Sequence, residues 1–228
     1  MTVIDLAGRT PAQKQGLLSQ LVVPRPIAMI SSLNPDGGLN VAPFSYYMPV
    51  CGEPPLVAVT IGAVREATPE PKDTWTNIQQ TGEFVINVTT TAMAEHIETM
   101  AQEYPPGFDE TSQSGWRTVA SHVVSVPSLE ISPARLECRV HETISRGDPL
   151  NCFAGVHIVL AEVVSISVDD RLTVTDQDGA VRIDPTQVDV VGRLGFPWFL
   201  SAGPGTIFSQ DRIAYADIPA LPDRKDLP

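Results

Sequence analysis

Two short stretches decide the fold: Arg25-Pro26-Ile27-Ala28-Met29-Ile30-Ser31-Ser32 and Leu39-Asn40-Val41-Ala42-Pro43-Phe44-Ser45. Both are apolar and extended in character, and Asn34-Pro35-Asp36-Gly37-Gly38 lies between them. Asn-Pro and Asp-Gly-Gly between two extended runs are typical of a chain reversal. The sequence therefore predicts a β-hairpin that carries hydroxyl and amide groups near its end.

Four small polar residues belong to this hairpin: Ser31, Ser32, Asn40 and Ser45. They can hydrogen-bond a ligand, while Ala42 and Pro43 leave room for a flat group close to the backbone. Ser and Asn also populate ordinary turns because they bond locally to the backbone. The hairpin alone thus leaves a binding site and a plain turn both open.

Downstream, Lys72-Asp73-Thr74-Trp75-Thr76-Asn77 resembles a seat for a phosphate group. Asp73 and Thr74 are both good N-cap residues, and no Gly or Pro follows until Thr81-Gly82. A helix that begins here directs unpaired N–H groups and its positive dipole end at the space before it. Lys72 adds a full charge, so an anion is expected there. The alternative is a surface helix with an ordinary cap.

Together these segments resemble the flavin reductase-like family. The matching motifs are Arg25-Pro26-Ile27-Ala28 to Ser31-Ser32, Asn40-Val41-Ala42-Pro43-Phe44-Ser45, Pro54-Pro55-Leu56-Val57, Lys72-Asp73-Thr74 with Asn77, and Thr81-Gly82-Glu83-Phe84-Val85-Ile86-Asn87. Looser similarity continues through Leu136-Glu137-Cys138 and Gly192-Arg193-Leu194-Gly195, after which Phe196-Pro197-Trp198-Phe199 departs from the family pattern. The resemblance implies a mainly β fold, an FMN-binding split β-barrel that is Greek-key-like and has a few peripheral helices. It also implies a homodimer with the cofactor near the subunit interface.

The resemblance further implies where FMN binds. Its phosphate is expected at Lys72, Thr74, Ser31 and Ser32, with Asn40 and Asn77 meeting the phosphate or the ribityl chain. The backbone and side chains of Ala42 to Ser45, with Phe44 among them, are expected to edge the isoalloxazine ring, and Val41 is also expected to bind the cofactor. Asp73 is expected to be a helix cap, because a carboxylate repels phosphate.

Three further residues near this site have open roles. Arg25 either stabilises reduced flavin or anchors the start of its strand. Arg193 and Trp198 either cover the flavin from a second subunit or pack in a core or dimer contact.

Composition limits the partners of the protein. The chain has 228 residues, 43% of them hydrophobic, and a formal net charge of −12. We expect one domain over residues 1–228, with a loose Pro-rich tail from about residue 218. The acidic balance disfavours nucleic acid and anionic membranes. No long apolar segment or signal sequence is present, which predicts a cytoplasmic protein.

Periodicity predicts the remaining elements. Helices are expected at 11–21 and, capped by a Thr, at 91–103. Strands are expected at 56–61, 84–88 and 136–144, at 153–168 with a bend near Gly155, and as a hairpin over 173–182.

No acid–base triad or metal site is evident. The histidines, His96, His122, His141 and His157, are scattered, and the cysteines, Cys51, Cys138 and Cys152, have no ligand spacing. The acidic pairs Asp109-Glu110 and Asp169-Asp170 are expected to be caps or solvated turns. No catalytic side chain is predicted, because flavin performs redox chemistry itself. No dinucleotide fingerprint or Walker sequence is present either.

Three functional hypotheses follow. The first is an FMN-containing oxidoreductase that takes hydride from NAD(P)H and passes electrons to free flavin, oxygen or a partner. The second is a flavoredoxin-like electron carrier without NAD(P)H activity. The third is a barrel that has lost flavin and serves as a ligand-binding or assembly module.

Overall fold

The computed structural model describes residues 1–203, 205–207 and 209. The helices in this part are α1 Pro11–Leu21, α2 Asp73–Thr81, α3 Ile97–Met100 and α4 Thr111–Ser114, with 3₁₀ turns at Thr91–His96, Asp170–Leu172 and Pro185–Gln187. The strands are β1 Arg25–Pro26, β2 Ala28–Leu33, β3 Leu39–Phe44, β4 Tyr47–Gly52, β5 Pro55–Gly62, β6 Glu83–Val88, β7 Thr118–Val119, β8 Ser128–Leu129, β9 Ala134–Arg146, β10 Val156–Val168, β11 Thr173–Thr175, β12 Val181–Ile183, β13 Val190–Arg193 and β14 Phe199–Ala202.

Seven of these strands form one antiparallel sheet in the order β3-β2-β6-β9-β10-β5-β4. β3 and β4 are its two edges, yet only Ser45 and Tyr46 separate them in the chain. A flat sheet of seven strands would hold these edges roughly 29 Å apart, whereas the Cα atoms of Phe44 and Tyr47 can be at most about 11 Å apart. The sheet must therefore roll up until the end of β3 meets the start of β4, and we call this junction the seam. This is the mainly β barrel that the sequence predicts.

The barrel interior is filled by alternate residues of its strands. The buried members are Ala28, Ile30, Val57, Val59, Ile61, Phe84, Ile86, Cys138, Val159 and Ala161, joined by Trp75 and Ile78 of α2. Because side chains in a strand alternate between faces, one residue in two points inward. Helix α2 contributes the last two members of the cluster, so its apolar side packs on the barrel core.

A second apolar cluster covers the outer face of β2 and β3. Ile27, Met29 and Val41 pack there against Met93, Ile97, Met100, Trp116, Leu129 and Val191. The segment from the 3₁₀ turn at Thr91–His96 through α3 thus covers the outer face of β2 and β3. The residues on that face alternate along the strands with those that point into the barrel core. A three-stranded sheet, β1-β13-β14, lies beside it.

Most of the predicted elements are confirmed. Helix α1, the hairpin β2–β3, strands β5, β6 and β9, and the hairpin β11–β12 all lie where periodicity and turn chemistry put them. The glycine stop of α2 is also confirmed, because Gly82 adopts φ 69° and its N–H bonds the Ile78 carbonyl.

Three local expectations are wrong. The N-cap of α2 is Lys72, not Asp73 or Thr74, which lie inside the first helical turn. The predicted helix over 91–103 is a 3₁₀ turn followed by the short helix α3, which ends at Met100. Strand β10 begins at Val156, and its bulges fall at Leu160/Ala161 and Val163/Ser165, not at Gly155. A Cβ at Gly155 would lie 2.1 Å from the Asp148 carbonyl oxygen, so this glycine permits a close loop contact instead.

In the described residues, no helix has the length and apolarity that crossing a bilayer requires. The same residues contain no cluster of three or more His, Cys, Asp or Glu suited to a metal ion. The predicted tail from about residue 218 lies outside the described residues, and the assignment of one domain to 1–228 stays a prediction.

Candidate functional site

Three connected cavities meet at Lys72, beside the barrel seam. The smallest, about 90 Å³, is lined by residues of β3, of α2 and of the segment after α3. A cleft of about 450 Å³ runs past β3, β5 and α1 and includes Pro43, Phe44, Ser45 and Tyr46 in its wall. A third, of about 590 Å³, opens towards Glu66, Glu98 and Glu103. The seam therefore places a small polar seat next to spaces in the size range of small-molecule sites.

The positive end of α2 faces this junction. Its N-cap, Lys72, makes no side-chain capping bond, so the first backbone N–H groups of the helix have no side-chain acceptor. The expected cap Asp73 instead pairs with Arg65, with 2.7 Å between its Oδ2 and Nη2. An uncapped helix start beside a lysine suits an anion.

Behind the seat lies a buried polar network that joins the hairpin to α2. The Asn40 amide donates to Thr74 Oγ1 at 2.9 Å and to Ser32 Oγ at 3.2 Å. The Asn77 amide donates to the same Ser32 oxygen at 3.1 Å. Each of the four residues is at most 7% exposed. The network fixes the distance between β3 and α2, and Asn40 and Thr74 also line the small cavity.

Two of the predicted site residues lie on the other face of the sheet. Ser31 Oγ donates to the Pro127 carbonyl at 2.7 Å and accepts from the Asn87 amide at 3.2 Å. Val41 packs in the outer apolar cluster. Strand alternation explains both, because Ser31 neighbours the inward Ser32 and Val41 neighbours the inward Asn40. Neither residue lines the three cavities at Lys72, and whether either one contacts the ligand stays a prediction.

Of the other hairpin residues that the sequence marks as site candidates, three line the cavities directly. Ala42 and Phe44 lie in the wall of the small cavity, and Phe44 continues into the 450 Å³ cleft with Ser45. Ser32 and Asn77 support Asn40 and Thr74 from inside the network. The structure thus brings together Lys72, Thr74, Asn40, Ala42, Phe44 and Ser45.

Lys72 pairs with the carboxylate of Glu103, and its side chain lies close to the backbone at Gly62. Its Nζ lies 3.3 Å from Glu103 Oε1, and its side chain is 33% exposed. Burial acts to raise the pKa of Glu103, but N–H groups of Glu66 and Ala67 and the charge of Lys72 outweigh it and lower that pKa. A Cβ at Gly62 would lie 3.3 Å from Lys72 Cε. The stem of the lysine therefore lies close against β5.

Arg65 is a neighbour that sequence reasoning missed. It is 8% exposed and donates to the Tyr104 carbonyl at 2.6 Å as well as to Asp73. Its Nε is buried without a hydrogen-bond partner. The residue lies in a charged loop, so no local pattern marks it as buried.

Glu110 was also missed, because Asp109-Glu110 reads as a cap or a solvated turn. Asp109 is exposed and stabilises the turn before α4, since its Oδ1 accepts from the Thr111 N–H at 2.9 Å. Glu110, however, is 5% exposed, lines the small cavity and accepts from the Val41 N–H at 2.8 Å. Burial raises the pKa of Glu110 to about 7; the Val41 N–H opposes the shift, and the charges of Asp73 and Asp109 add to it.

Arg25 anchors the start of its strand, and whether it also stabilises reduced flavin stays a prediction. Its guanidinium donates to the carbonyls of Val22 and Leu194 at 2.9 Å each, and also bonds the Ser19 carbonyl. These bonds tie the end of α1 to the loop after β13. Arg25 also lies on the wall of the cleft, where its Nε reaches Ser45 Oγ at 3.4 Å.

Arg193 and Trp198 take different positions. Arg193 pairs with Glu98, lies 4.3 Å over the Phe199 ring and contributes to the cleft wall. Trp198 is 69% exposed. Whether either residue covers a ligand of a second subunit stays a prediction.

Two of the four histidines, His157 and His96, pack against tryptophan rings. His157 stacks on Trp75 with ring centroids 3.8 Å apart, and its Nδ1 bonds Ser145 Oγ at 2.9 Å. His96 meets Trp116 edge to face at 5.6 Å. The junction at Lys72 combines an uncapped helix start, a lysine and an adjoining cleft. It can therefore bind and orient a ligand with an anionic group and a flat body.

Comparison with known proteins agrees with this geometry. A family model described as "Flavin reductase like domain" matches residues 19–183. An uncharacterised protein from Halalkalibacterium halodurans is 38% identical over 182 residues, which are 78% of this chain and 81% of that protein. Nitrilotriacetate monooxygenase component B from Bacillus cereus superposes with a TM-score of 0.79 at 27% identity, covering 93% of this chain and 98% of that one.

The barrel itself is shared with a protein with a split barrel domain from Shewanella frigidimarina. That comparison gives a TM-score of 0.71 at 20% identity and covers 92% of this chain and 95% of the other. The expected split-barrel fold is confirmed.

The polar network predicts a specific stability cost. In Thr74→Val the shape of the side chain is kept, but one N–H of the buried Asn40 amide loses its acceptor. We expect the free energy of unfolding to fall by about 1–3 kcal/mol, measured by urea denaturation. Thr76→Val on the half-buried side of α2 is the matched control and should change it by no more than about 0.5 kcal/mol. Equal effects of the two substitutions would contradict the network.

Proposed function

This chain belongs to the flavin reductase-like family, and from that premise we propose that it is an FMN-containing oxidoreductase that accepts hydride from NAD(P)H and passes electrons to free flavin, oxygen or a partner protein. The observation that carries the proposal is the position of Lys72. It stands at the uncapped start of α2, where a phosphate-sized cavity meets a cleft large enough for a ring system.

The residues at the small cavity fit the phosphate of FMN. The first N–H groups of α2, the Lys72 ammonium and the Thr74 hydroxyl, which accepts from Asn40 and keeps its own hydrogen, are all donors, and a doubly charged ester needs several of them. Lys72 already has an anionic partner in Glu103. Binding then exchanges one anion for another at this ammonium group, with the helix dipole favouring the ester.

The residues of the cleft fit the flavin ring. The wall at Pro43, Phe44 and Ser45 carries no charged side chain, and the chain runs there along the seam of the barrel. Once bound, FMN itself supplies the capacity to accept hydride and release electrons. The protein contributes binding, orientation and shielding from water.

The charges of the third cavity favour NADH over NADPH. Glu66, Glu98 and Glu103 line it with Lys72, and Arg193 nearby is paired with Glu98. Carboxylates accept hydrogen bonds from a ribose 2′-hydroxyl but repel a 2′-phosphate. The net charge of −12 adds to this preference, since NADPH is the more negative donor.

We propose that the protein is cytoplasmic and that it assembles as a homodimer. Elements around Arg25 expose apolar side chains that a monomer would leave in water: Leu18 at 54%, Leu21 at 78%, Met48 at 58%, Phe196 at 75% and Trp198 at 69%. Apolar surface of this kind is typical of protein interfaces. Since Arg25, Arg193 and Phe196 also line the cleft, a second copy on this surface would lie beside the cofactor.

The position of Lys72 predicts the strength of FMN binding. Lys72→Ala should weaken FMN binding at least tenfold, the effect of losing a charge-assisted contact worth about 1.5–3 kcal/mol. Fluorescence titration of FMN against the cofactor-free protein measures it. Lys14→Ala, which removes a lysine of α1, is the control and should leave the dissociation constant unchanged. An unaltered affinity in Lys72→Ala would contradict the placement of the phosphate.

Hydride acceptance predicts the response to nicotinamide donors. Anaerobic mixing of the FMN-loaded protein with NADH should bleach the flavin absorbance, and NADPH should do so at least tenfold more slowly. Bleaching by neither donor would leave the electron-carrier function in its place. A preparation that takes up no FMN would leave the ligand-binding or assembly module.

The apolar surface predicts the oligomeric state. Leu21→Asp should convert a dimer into a monomer in sedimentation velocity without unfolding it, because this side chain is 78% exposed in one subunit. Leu150→Asp, at a site 72% exposed in the loop before β10, is the control and should stay dimeric. A wild-type protein that sediments as a monomer at micromolar concentration would exclude the dimer.

A further inference from the structure

We propose that Glu110 is a ligand of the cofactor phosphate that acts in its protonated form, so that the binding of FMN takes up a proton. This inference deepens the function proposed above and rests on it. It identifies a residue for which neither the motifs nor the family match provides a role.

The geometry places Glu110 in the wall of the phosphate-sized cavity. It shares that wall with Lys72, Thr74 and Asn40. Only 5% of the residue is exposed, so the carboxyl group is almost wholly removed from solvent. Its Oε2 accepts from the Val41 N–H at 2.8 Å, which fixes the group against β3 and leaves Oε1 for the cavity.

The charges around the cavity leave Glu110 without a cation. Arg65 pairs with Asp73 at 2.7 Å, and Lys72 pairs with Glu103 at 3.3 Å. The salt bridges of the described residues do not include Glu110. An ionised Glu110 therefore gives the cavity an excess negative charge, whereas a neutral Glu110 leaves it balanced.

Bringing a phosphate into this cavity makes the neutral form more favourable. The pKa of Glu110 is about 7 because burial raises it, the Val41 N–H lowers it in part, and Asp73 and Asp109 raise it further. A second anion at close range disfavours a charged carboxylate still more. The proton comes from solvent and stays on Oε1, from which the O–H group donates to a phosphate oxygen. No other bond changes.

The sign of the pH dependence follows from linkage. Below pH 7 Glu110 already carries its proton, and binding needs no uptake. Well above pH 7 each further unit costs about a factor of ten in affinity, so the dissociation constant should rise about 25-fold from pH 6.5 to pH 8.5. The second pKa of a phosphate ester is about 6, so the ester itself stays mainly dianionic in this range.

Isothermal titration calorimetry of FMN into the cofactor-free protein tests the proposal. At pH 7.5 the heat is compared in two buffers of different ionisation enthalpy, which gives the protons taken up. We expect roughly 0.75 proton per FMN for a group of pKa near 7. Riboflavin, which lacks the phosphate, should bind with no uptake.

Two variants separate the role of Glu110 from that of its neighbours. Glu110→Gln keeps a neutral side chain of the same shape and should abolish both the uptake and the change of affinity with pH. Asp109→Asn removes an adjacent exposed carboxylate and should retain both. Unchanged riboflavin affinity in Glu110→Gln would show that its cleft is intact.

Two results would overturn the inference. One is an FMN affinity that is the same at pH 6.5 and pH 8.5 in the wild-type protein. The other is proton uptake that persists in Glu110→Gln. A wild-type protein that binds FMN at no pH would instead refute the proposed function, and this inference with it.

Discussion

The connection of two residues, Ser45 and Tyr46, between the edge strands β3 and β4 is the constraint on which the rest of the structure depends. It is too short to span a flat seven-stranded sheet, so the sheet must roll up and bring its own edges together. The unpaired seam that results is also the place where the cleft opens. The barrel and its binding site therefore have one cause, and the motif that builds the hairpin also builds the wall of the site.

Strand alternation then decides which polar residues of the motif can meet a ligand. Ser32 and Asn40 share the inward face with Ala28 and Ile30, and they reach α2 through the buried network. Ser31 and Val41 face outward and serve other contacts. The motif in the sequence marked the right segment but not the right face. The period of two was visible in Ala28 and Ile30, and it would have separated Ser31 from Ser32.

The parts of the fold that were predictable are those that local chemistry determines. The hairpin turn, the glycine stop of α2 and the apolar strands depend on neighbours in sequence. Arg65 and Glu110 could not be predicted in the same way, because their burial depends on contacts with Tyr104 and Val41, each many residues distant along the chain. The extra length predicted at the start of β10 has a similar origin, since the close contact of Gly155 with Asp148 lies just before the strand begins at Val156.

The salt bridge between Lys72 and Glu103 has a consequence for which solutes can compete at the seat. The Lys72 ammonium group is paired with Glu103 before any ligand binds. The lysine side chain is therefore already ordered, and little side-chain entropy is lost when a ligand binds. An incoming anion must displace the carboxylate of Glu103, whose local concentration at Lys72 is high because it belongs to the same chain. Chloride and other monovalent salts of the cell are poorly equipped to do so, whereas an ester with two charges and several acceptor oxygens is well equipped. At the proposed phosphate site, the Lys72–Glu103 pair would thus favour a multiply charged ester over the abundant small anions.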